Sequence, residues 1–456
     1  MNRKTIVAGF LPACFTLIAL LFTAGIYAQK PEVMIRDSAS LNECISYAFK
    51  NQPLVKQLKL DEDIARQDIR IALTDWLPQV NSTLTFQDNI KRPTLIFPNF
   101  NDPTGPKTEV TTGVQYNSSL ALSASQTIFN NSVYLAGSTA KYYRKKSKQT
   151  TDEALIGLVV NVSKAYYDVL LTRLQLKILD EDIQRLDKSL KDAYARYQNG
   201  ISDKIDYKRA TISLNNAQSQ KINAEESIKA KYTYLKQLMG YPDDKPLVLS
   251  YDSISMQNDM LVDTVTGLNY NNRIEYRLLE TNLHLQRSNI NYYKLSFLPS
   301  LSGYANYNLV YQNDLTSELY KKSFPNSSVG LTLSFPLFQS SKKMQNLRRA
   351  NLQYERLALD TLNLKNQINT EYAQAIASYK SNLSAYRITQ QNIDIARDVY
   401  NTVKLQYDQG VKTYLEVIVS ETDLRTAQIN NLNALFRVLS SKLDVERALG
   451  NISTDY

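Results

Sequence analysis

Few side chains in this sequence could carry catalytic or metal chemistry, and they are scattered. His284 is the only histidine, so a catalytic triad or a zinc site would lack the partners it requires. Cys14 and Cys44 are the only two cysteines, and nothing near Cys44 indicates an activated thiol. The carboxylate pairs Glu225-Glu226 and Asp243-Asp244 fall in a predicted helix and a predicted linker, where solvation explains them. No catalytic residue, cofactor or metal site is predicted, so the function must follow from the architecture.

The distribution of charge excludes one class of partner. The chain has 53 Lys and Arg against 44 Asp and Glu, a net charge of +9. These residues are spread along the whole length, which argues against a nucleic-acid-binding protein.

The first residues predict the compartment. Arg3 and Lys4 precede an apolar run at 6–26, which closes on the small residue Ala28. This order of basic, apolar and small residues is typical of a signal peptide, predicted at 1–28. Its removal lowers the net charge from +9 to +7, because it contains Arg3 and Lys4 and no acidic residue.

Two alternatives to cleavage after Ala28 stay open. The apolar run is nearly long enough to span a bilayer and could be a retained anchor. Cys14 ends a Leu-Pro-Ala-Cys sequence that resembles a lipoprotein cleavage box. The apolar stretch continues beyond Cys14, however, whereas a lipidated cysteine should be followed by polar chain. The mature chain is therefore predicted to start at Gln29.

The chain matches itself, which indicates an internal duplication. Three pairs of segments align in order: Trp76–Val80 with Phe297–Leu301, Tyr197–Ile201 with Tyr407–Val411, and Leu238–Gly240 with Ala448–Gly450. Each copy reads as helix, strand, loop, strand, long helix, glycine turn and helix. We predict a first repeat at 29–240, a connector at 241–262, and a second repeat at 263–456.

The long helices carry a heptad pattern, with apolar residues spaced by 3 and 4, which predicts coiled-coil packing. They are predicted at 130–199 and 340–409, each about 105 Å long, and the helices after the turns at 202–239 and 412–449. The remaining helices are predicted at 41–76 and 262–297. A helix that precedes a strand pair and a helix that follows a glycine turn would together equal one long helix in length. The connector and both termini would then form an irregular belt at mid-height.

Four segments alternate apolar and polar residues with a period of two. They lie at 80–87, 114–123, 301–312 and 328–335. This pattern fits strands of a membrane barrel and also a soluble sheet on a core. No stretch after the signal peptide has about twenty consecutive apolar residues, so insertion would have to use strands. Four strands cannot close a barrel, and the chain would have to oligomerise, at least to a dimer.

Two features of the strand region predict its orientation. The loop from Lys91 to Thr112 contains Pro93, Pro98, Pro103 and Pro106, which exclude regular strand, and we expect this loop outside the cell. Trp76 stands at a helix-to-strand junction, where it suits either an aromatic girdle at the inner membrane interface or simple packing.

Over essentially the whole mature chain, the sequence resembles the TolC family of outer-membrane efflux proteins. The residues that carry the resemblance are doubled: Tyr197, Gly200, Asp206 and Leu238–Gly240, then Tyr407, Gly410, Glu416 and Ala448–Gly450. The Leu-Pro pairs at Leu77 and Leu298 also look like the family pattern.

The resemblance implies an α+β membrane protein in the outer membrane of a Gram-negative bacterium. It implies a homotrimer with a twelve-stranded β-barrel set in outer-membrane lipid, continued by a helical tunnel through the periplasm. The implied partners are a periplasmic adaptor and an inner-membrane pump of an efflux or type I secretion system, with no nucleic acid. The exported substrate and the pump class do not follow from the sequence.

The resemblance also places a gate at the periplasmic tip, around Gly200 and Gly410. Lys412 and Asp206 lie close after these glycines, and we expect them to meet across the hairpins as a latch, or else to be solvated helix-end charges. Glu416 would form a three-fold acidic ring that favours cations. Family members often have a second acidic residue where this chain has Val419, so a double ring is not expected.

Two other classes of protein compete with this interpretation. A periplasmic coiled-coil adaptor should contain one helical hairpin flanked by glycine-rich β domains, whereas this sequence predicts two hairpins, each joined to paired strands. A soluble periplasmic scaffold protein would place the strands on a core.

Overall fold

The computed structural model describes residues 38–97, 107–250, 256, 260–262, 267–338 and 340–456. The predicted signal peptide at 1–28, Cys14 and the predicted start at Gln29 lie outside the described residues.

Four long helices form two antiparallel hairpins. The first hairpin is α3 (Asn131–Gln198) with α4 (Lys204–Met239), and the second is α6 (Lys342–Asp408) with α7 (Tyr414–Leu449). The helices have 68, 36, 67 and 36 residues, so the long ones extend about 100 Å. Asn130 caps α3 by accepting a hydrogen bond from the Val133 N–H at 2.8 Å. The long helices predicted from the heptads and the helices predicted after the two glycine turns are confirmed.

The two remaining helical predictions are partly wrong. The stretch predicted at 41–76 is two helices, α1 (Leu41–Asn51) and α2 (Pro53–Thr74). Pro53 has no N–H to donate and forces Gln52 into an extended conformation, with ψ 123°. Among the described residues of the stretch predicted at 262–297, α5 (Ile274–Leu295) forms the α-helix, preceded by a 3₁₀ turn at Tyr270–Asn272. α2 and α5 both have 22 residues, so the two halves match in this helix, and each helix is shorter than the predicted stretch.

The four predicted strands are present in one antiparallel sheet, ordered β1 (Gln79–Asp88), β4 (Tyr116–Phe129), β5 (Ser300–Asn313), β6 (Ser323–Ser334). Rows of paired residues across this sheet alternate between apolar and polar. One row across the sheet is Val80, Ala124, Ala305 and Val329, and the next is Asn81, Ser123, Asn306 and Ser328. Side chains alternate between faces along each strand, so one face of the sheet is apolar and the other polar.

The prediction that the prolines exclude strand from 91–112 is wrong. Strands β2 (Thr94–Phe97) and β3 (Thr108–Thr111) pair as a second, two-stranded sheet. Pro93 and Pro98 flank β2 and do not interrupt it. Pro93 directly precedes β2, a position where its missing N–H removes no ladder hydrogen bond from the strand. Residues 98–106 of this loop lie outside the described residues.

The main core lies at mid-height, where α1 packs against α3 and α4, and the last turns of α7 contribute buried residues to the same cluster. Described residues of the connector join it: Leu247 and Leu249 are buried there, and the Ala39 N–H donates to the Val248 carbonyl at 2.8 Å. Cys44 is fully buried in this core, and burial raises the pKa of its thiol to about 12. This agrees with the sequence, in which nothing near Cys44 indicates an activated thiol. We call α1, the described connector residues and 451–456 the belt.

One segment of α3 is unusually apolar. An 18-residue window of α3 has a mean hydropathy of 1.4, enough by length and composition to cross a membrane. However, 67% of that window is buried within the protein, as expected for a helix at the centre of a helical layer.

His284, the only histidine, lies in α5 and stacks on Tyr142 of α3 with ring centroids 5.0 Å apart. This contact gives the histidine a packing role between two helices.

Candidate functional site

The two glycine turns reverse the chain with the same backbone geometry. Gly200 has φ +70° and Gly410 has φ +78°, a left-handed conformation that glycine adopts without a steric penalty. The N–H of Gly200 donates to the Tyr197 carbonyl at 3.0 Å, and the N–H of Gly410 donates to the Tyr407 carbonyl at 2.9 Å. These hydrogen bonds satisfy carbonyls at the ends of α3 and α6, so both long helices end at the residues that the sequence indicated.

The rising helices begin with side-chain caps. Asp203 accepts from the Ile205 N–H at 2.9 Å at the start of α4. At the start of α7, Thr413 and Glu416 form a capping box, in which the Glu416 carboxylate accepts from the Thr413 N–H at 2.9 Å. These caps fix the direction of each helix after its turn.

Tyrosines bring the tips of the two hairpins together. Tyr407 and Tyr414 are buried in a small cluster with Ala193, Ala210 and Val417, and their ring centroids are 5.6 Å apart. Burial raises the pKa of the Tyr414 hydroxyl to about 12, so the hydroxyl stays neutral at physiological pH.

Polar contacts from the first hairpin complete this cluster. The Tyr414 hydroxyl lies 3.3 Å from Ser189 Oγ, and the Arg196 guanidinium lies 4.7 Å from the Tyr407 ring centroid. Tyr197 instead packs on Tyr207 within the first hairpin, with ring centroids 5.0 Å apart. The predicted tip residues Tyr407 and Tyr197 thus have different roles, although they occupy matching positions in the two copies.

Within one chain, the latch expected between Lys412 and Asp206 is wrong. Lys412 Nζ donates to Glu416 Oε1 at 2.6 Å, four residues along the same chain segment. This partner is local, and the capping box already holds its carboxylate in place, so the pair forms with little loss of chain entropy. Asp206 lies near the tyrosine cluster, where burial and the neighbouring Asp203 raise the pKa of its carboxyl.

The same contacts change the expected state of Glu416. Hydrogen bonds from Lys412 and Thr413 lower the pKa of this carboxyl to about 2. The carboxylate is charged at any physiological pH, but the Lys412 ammonium balances it. An acidic ring built on Glu416 would therefore be a ring of ion pairs.

Sequence reasoning missed a buried charge network above the tip. Asp182 and Arg185 of α3 face Glu421 and Arg425 of α7. Asp182 is fully buried and accepts from Arg185 at 3.0 Å and from Arg425 at 2.9 Å. Glu421 is also buried, with Oε1 3.5 Å from Arg185 Nε. We call these four residues the inter-hairpin network, because they join the first hairpin to the second.

The sequence gives only a faint signal for this network. Asp182 and Arg185 are three residues apart, and Glu421 and Arg425 are four apart. Each pair taken alone is indistinguishable from an ordinary solvated pair on a helix surface. Only the packing of α3 against α7 removes the carboxylates from water.

The network predicts a pH dependence of stability. Burial, with the nearby Asp182 carboxylate, raises the pKa of Glu421 to about 7, while Arg185 and Arg425 oppose the shift. Because this folded-state pKa exceeds the ordinary glutamate pKa of 4.5, the stability that the protonated group provides is fully present below about pH 4.5. It is lost as the pH rises through about 7.

The test compares Glu421→Gln with the unmodified protein at pH 5 and pH 8. At pH 8, the thermal unfolding midpoint of Glu421→Gln should be higher than that of the unmodified protein. Between pH 5 and pH 8, the midpoint of this variant should also not show the part of the decline that the titration of Glu421 causes. Glu226→Gln on the exposed side of α4 is the control and should leave the decline unchanged. An identical decline in Glu421→Gln would contradict the assignment.

Comparison with known proteins agrees with this architecture. The sequence model of the outer membrane efflux protein family matches residues 44–241 and 272–451. The outer membrane protein TolC of Vibrio cholerae is 21% identical over 423 residues, which cover 91% of each chain. The alkaline protease secretion protein AprF of Pseudomonas aeruginosa is 24% identical over 285 residues, 59% of this chain and 56% of that protein.

The fold is also that of a solved channel. The crystal structure of CusC superimposes with a TM-score of 0.74 at 19% identity, covering 93% of this chain and 95% of that chain. The resemblance to the TolC family stated from the sequence is confirmed. The family match extends over most of both halves of the chain, from the belt through the sheet to the helical tips. The chain therefore belongs to the outer membrane efflux protein family.

Proposed function

We propose that this protein is the outer-membrane duct of a tripartite efflux or type I secretion system. In this role it passes substrate from an inner-membrane pump and a periplasmic adaptor to the exterior. The family is one of transport channels in the outer membrane. The finer proposal is a homotrimer whose twelve strands close one barrel, continued by a helical tunnel.

The two-faced sheet is the observation that carries this proposal. Val80, Leu84, Val329 and Leu331 on its apolar face are between 71% and 84% exposed. A soluble scaffold protein would leave these side chains in water, at a cost of about 25 cal/mol per Å² of apolar surface. Hydrocarbon on this face and water on the polar face satisfy both sets of side chains.

The edges of the sheet support an oligomer, of which the trimer is the proposed form. Strands β1 and β6 are the outer strands of the four-stranded sheet, and an unpaired edge is not tolerated in hydrocarbon. Pairing β6 of one subunit with β1 of the next would close a ring of three copies at twelve strands. Membrane barrels of single chains start at eight strands, so one chain alone falls short.

The names of the relatives support the proposed adaptor and pump as partners. One is a protease secretion protein, and others are named as outer membrane proteins of solvent and toluene efflux pumps. We infer that this chain meets an adaptor at the tips around Gly200 and Gly410. The two long hairpins, each joined to a strand pair, do not match the single hairpin expected of an adaptor itself.

The domain layout proposed is a signal peptide at 1–28, repeats at 29–240 and 263–456, and a connector at 241–262. The loop at 91–112 is proposed to lie outside the cell, since it joins β1 to β4 at the end of the sheet away from the helices.

Native mass spectrometry in mild detergent and conductance in planar bilayers test the duct. The expected result is a trimer of mature chains that inserts and conducts ions. A stable monomer, or a protein extracted from cells without detergent, would contradict the proposal.

The ion pair at the tip gives a signed prediction for the same bilayers. Removing the ammonium in Lys412→Ala should leave the Glu416 carboxylate unbalanced and increase the preference for cations. Glu416→Gln should leave Lys412 unbalanced and decrease it. Lys191→Ala, which removes an exposed i,i+4 partner of Asp187, controls for charge alone. Equal selectivity in both tip variants would show that Glu416 does not face the permeation path.

A further inference from the structure

A basic groove lies between α2, α3 and α5, in the part of the helical layer nearer the sheet. Its volume is about 510 Å³, and six cationic side chains line it: Arg66, Lys141, Arg144, Lys145, Lys148 and Arg277. Two carboxylates, Glu62 and Asp152, also line the groove and leave a net charge of +4. A concave surface with this excess of one sign concentrates ligands of the opposite sign, and export through the tunnel does not require it.

A buried amide in the groove also points to a ligand. Gln149 lines the groove and is 3% exposed. Its Oε1 accepts from Thr281 Oγ1 at 2.8 Å, which orients the amide, while its Nε2 has no hydrogen-bond partner among the described residues. A buried donor without an acceptor is costly. A ligand that brings carboxylate oxygens would supply the missing acceptor.

Helix periodicity shows which side of the helical layer the groove occupies. Lys141, Lys145 and Lys148 precede Val159, Ser163 and Tyr166 by 18 residues each, which is five turns at 3.6 residues per turn. Those three residues line the cavity where the belt packs on α3 through α1 and the C-terminal residues. The groove and the belt therefore share one face of α3. Given the proposed function, this is the outer face, because the belt would otherwise obstruct the tunnel.

The height of the groove limits its partner. Lys141 and Lys148 follow the first residue of α3 by 10 and 17 residues, so they lie about 15 and 26 Å from the sheet along the helix. The headgroup layer adds only about 5 to 8 Å on each side of the hydrocarbon, so phospholipid headgroups are too close to the sheet. The proposed adaptor site at the tips is at the opposite end of α3. The ligand must come from the periplasm beneath the outer membrane.

We propose that this groove binds the carboxylates of the peptide stems of the cell wall. Peptidoglycan is the polymer of this layer, and its peptides carry several free carboxylates along a short chain. A groove of about 510 Å³ accommodates a few residues of such a stem, with the lysines and Arg144 facing its carboxylates and Gln149 donating to one of them. The duct would in this way be anchored to the wall through which it passes.

The test is co-sedimentation of the full-length protein in detergent with purified insoluble sacculi. The groove variant K141Q/R144Q/K145Q/K148Q should bind about tenfold more weakly. The control variant R356Q/K380Q/R387Q/R397Q loses the same four charges from exposed positions on α6 and should bind as the unmodified protein does. An equal loss in both variants would mean unspecific charge attraction and would overturn the proposal.

Two further binding experiments identify the chemical groups that the groove recognises. Gln149→Leu leaves the net charge unchanged and should still weaken binding severalfold, at an unchanged thermal midpoint. Sacculi whose carboxylates have been amidated should not bind the unmodified protein. Binding to amidated sacculi, or to anionic phospholipid vesicles in place of sacculi, would reject the stem carboxylates as ligand.

Conductance of the same preparations separates the two proposals. A protein that conducts in planar bilayers but does not bind sacculi keeps its function as a duct and contradicts only the role of the groove. A protein that binds sacculi but never conducts would contradict the duct and leave the groove in place.

Discussion

Arg425→Met is expected to loosen the second hairpin from the first, at a cost of about 3 to 5 kcal/mol. Arg425 donates to Asp182 at 2.9 Å, and Asp182 is fully buried. Without the guanidinium, the Asp182 carboxylate keeps only Arg185, whose Nε also lies 3.5 Å from Glu421. Two buried carboxylates would then share one cation, and this would destabilise the packing of α7 on α3.

Hydrogen exchange of the α7 amides measures this loss as a local opening. Exchange should become at least about a hundredfold faster in Arg425→Met, since each 1.4 kcal/mol is a factor of ten. Adding Asp182→Asn should recover much of the protection, because it removes the uncompensated charge. Arg397→Met, at an exposed ion pair on α6, is the control and should change little. Unchanged exchange in Arg425→Met would mean that the network contributes nothing to joining the hairpins.

Gly450→Ala is expected to destabilise the belt far more than Gly410→Ala destabilises the tip. Both glycines have left-handed backbones, with φ +75° and +78°. Alanine is strained in this conformation, which should lower the free energy of unfolding by about 1 to 2 kcal/mol at either position. At Gly450 a Cβ would also lie 2.6 Å from the Asn272 carbonyl oxygen, whereas at Gly410 it would meet no atom of the described residues within 4 Å.

The backbone before α5 would have to move to accommodate Gly450→Ala, which adds about 1 to 3 kcal/mol. Denaturant unfolding of the detergent-solubilised protein should therefore give a clearly lower midpoint for Gly450→Ala than for Gly410→Ala. Gly240→Ala should behave like Gly450→Ala, because its Cβ would lie 2.8 Å from Gln52 Cα. Equal midpoints for the Gly450 and Gly410 variants would show that the belt accommodates the added methyl group.

Much of the fold follows from local rules that the sequence displays. The heptads of α3 and α6, the glycines that end them and the alternation in β1, β4, β5 and β6 each depend on residues close together in the chain. Apolar residues that repeat with a period of 3.5 along a helix, or of 2 along a strand, lie on one face of that element regardless of what packs against it. The break at Pro53 was equally local, and its effect on the preceding residue is a known steric rule.

What the sequence determined by itself is thus the order of elements, the position of the two tips, and a sheet with one apolar and one polar face. The tertiary structure alone decided the partners of the buried charges. Lys412 and Glu416 form a local pair, four residues apart, whereas Asp206 lies beside buried tyrosines and Asp182 meets Arg425 across 243 residues of chain. The physical reason is that burial and distance set the energy of a charge, and for partners far apart in the chain both exist only once the helices have packed.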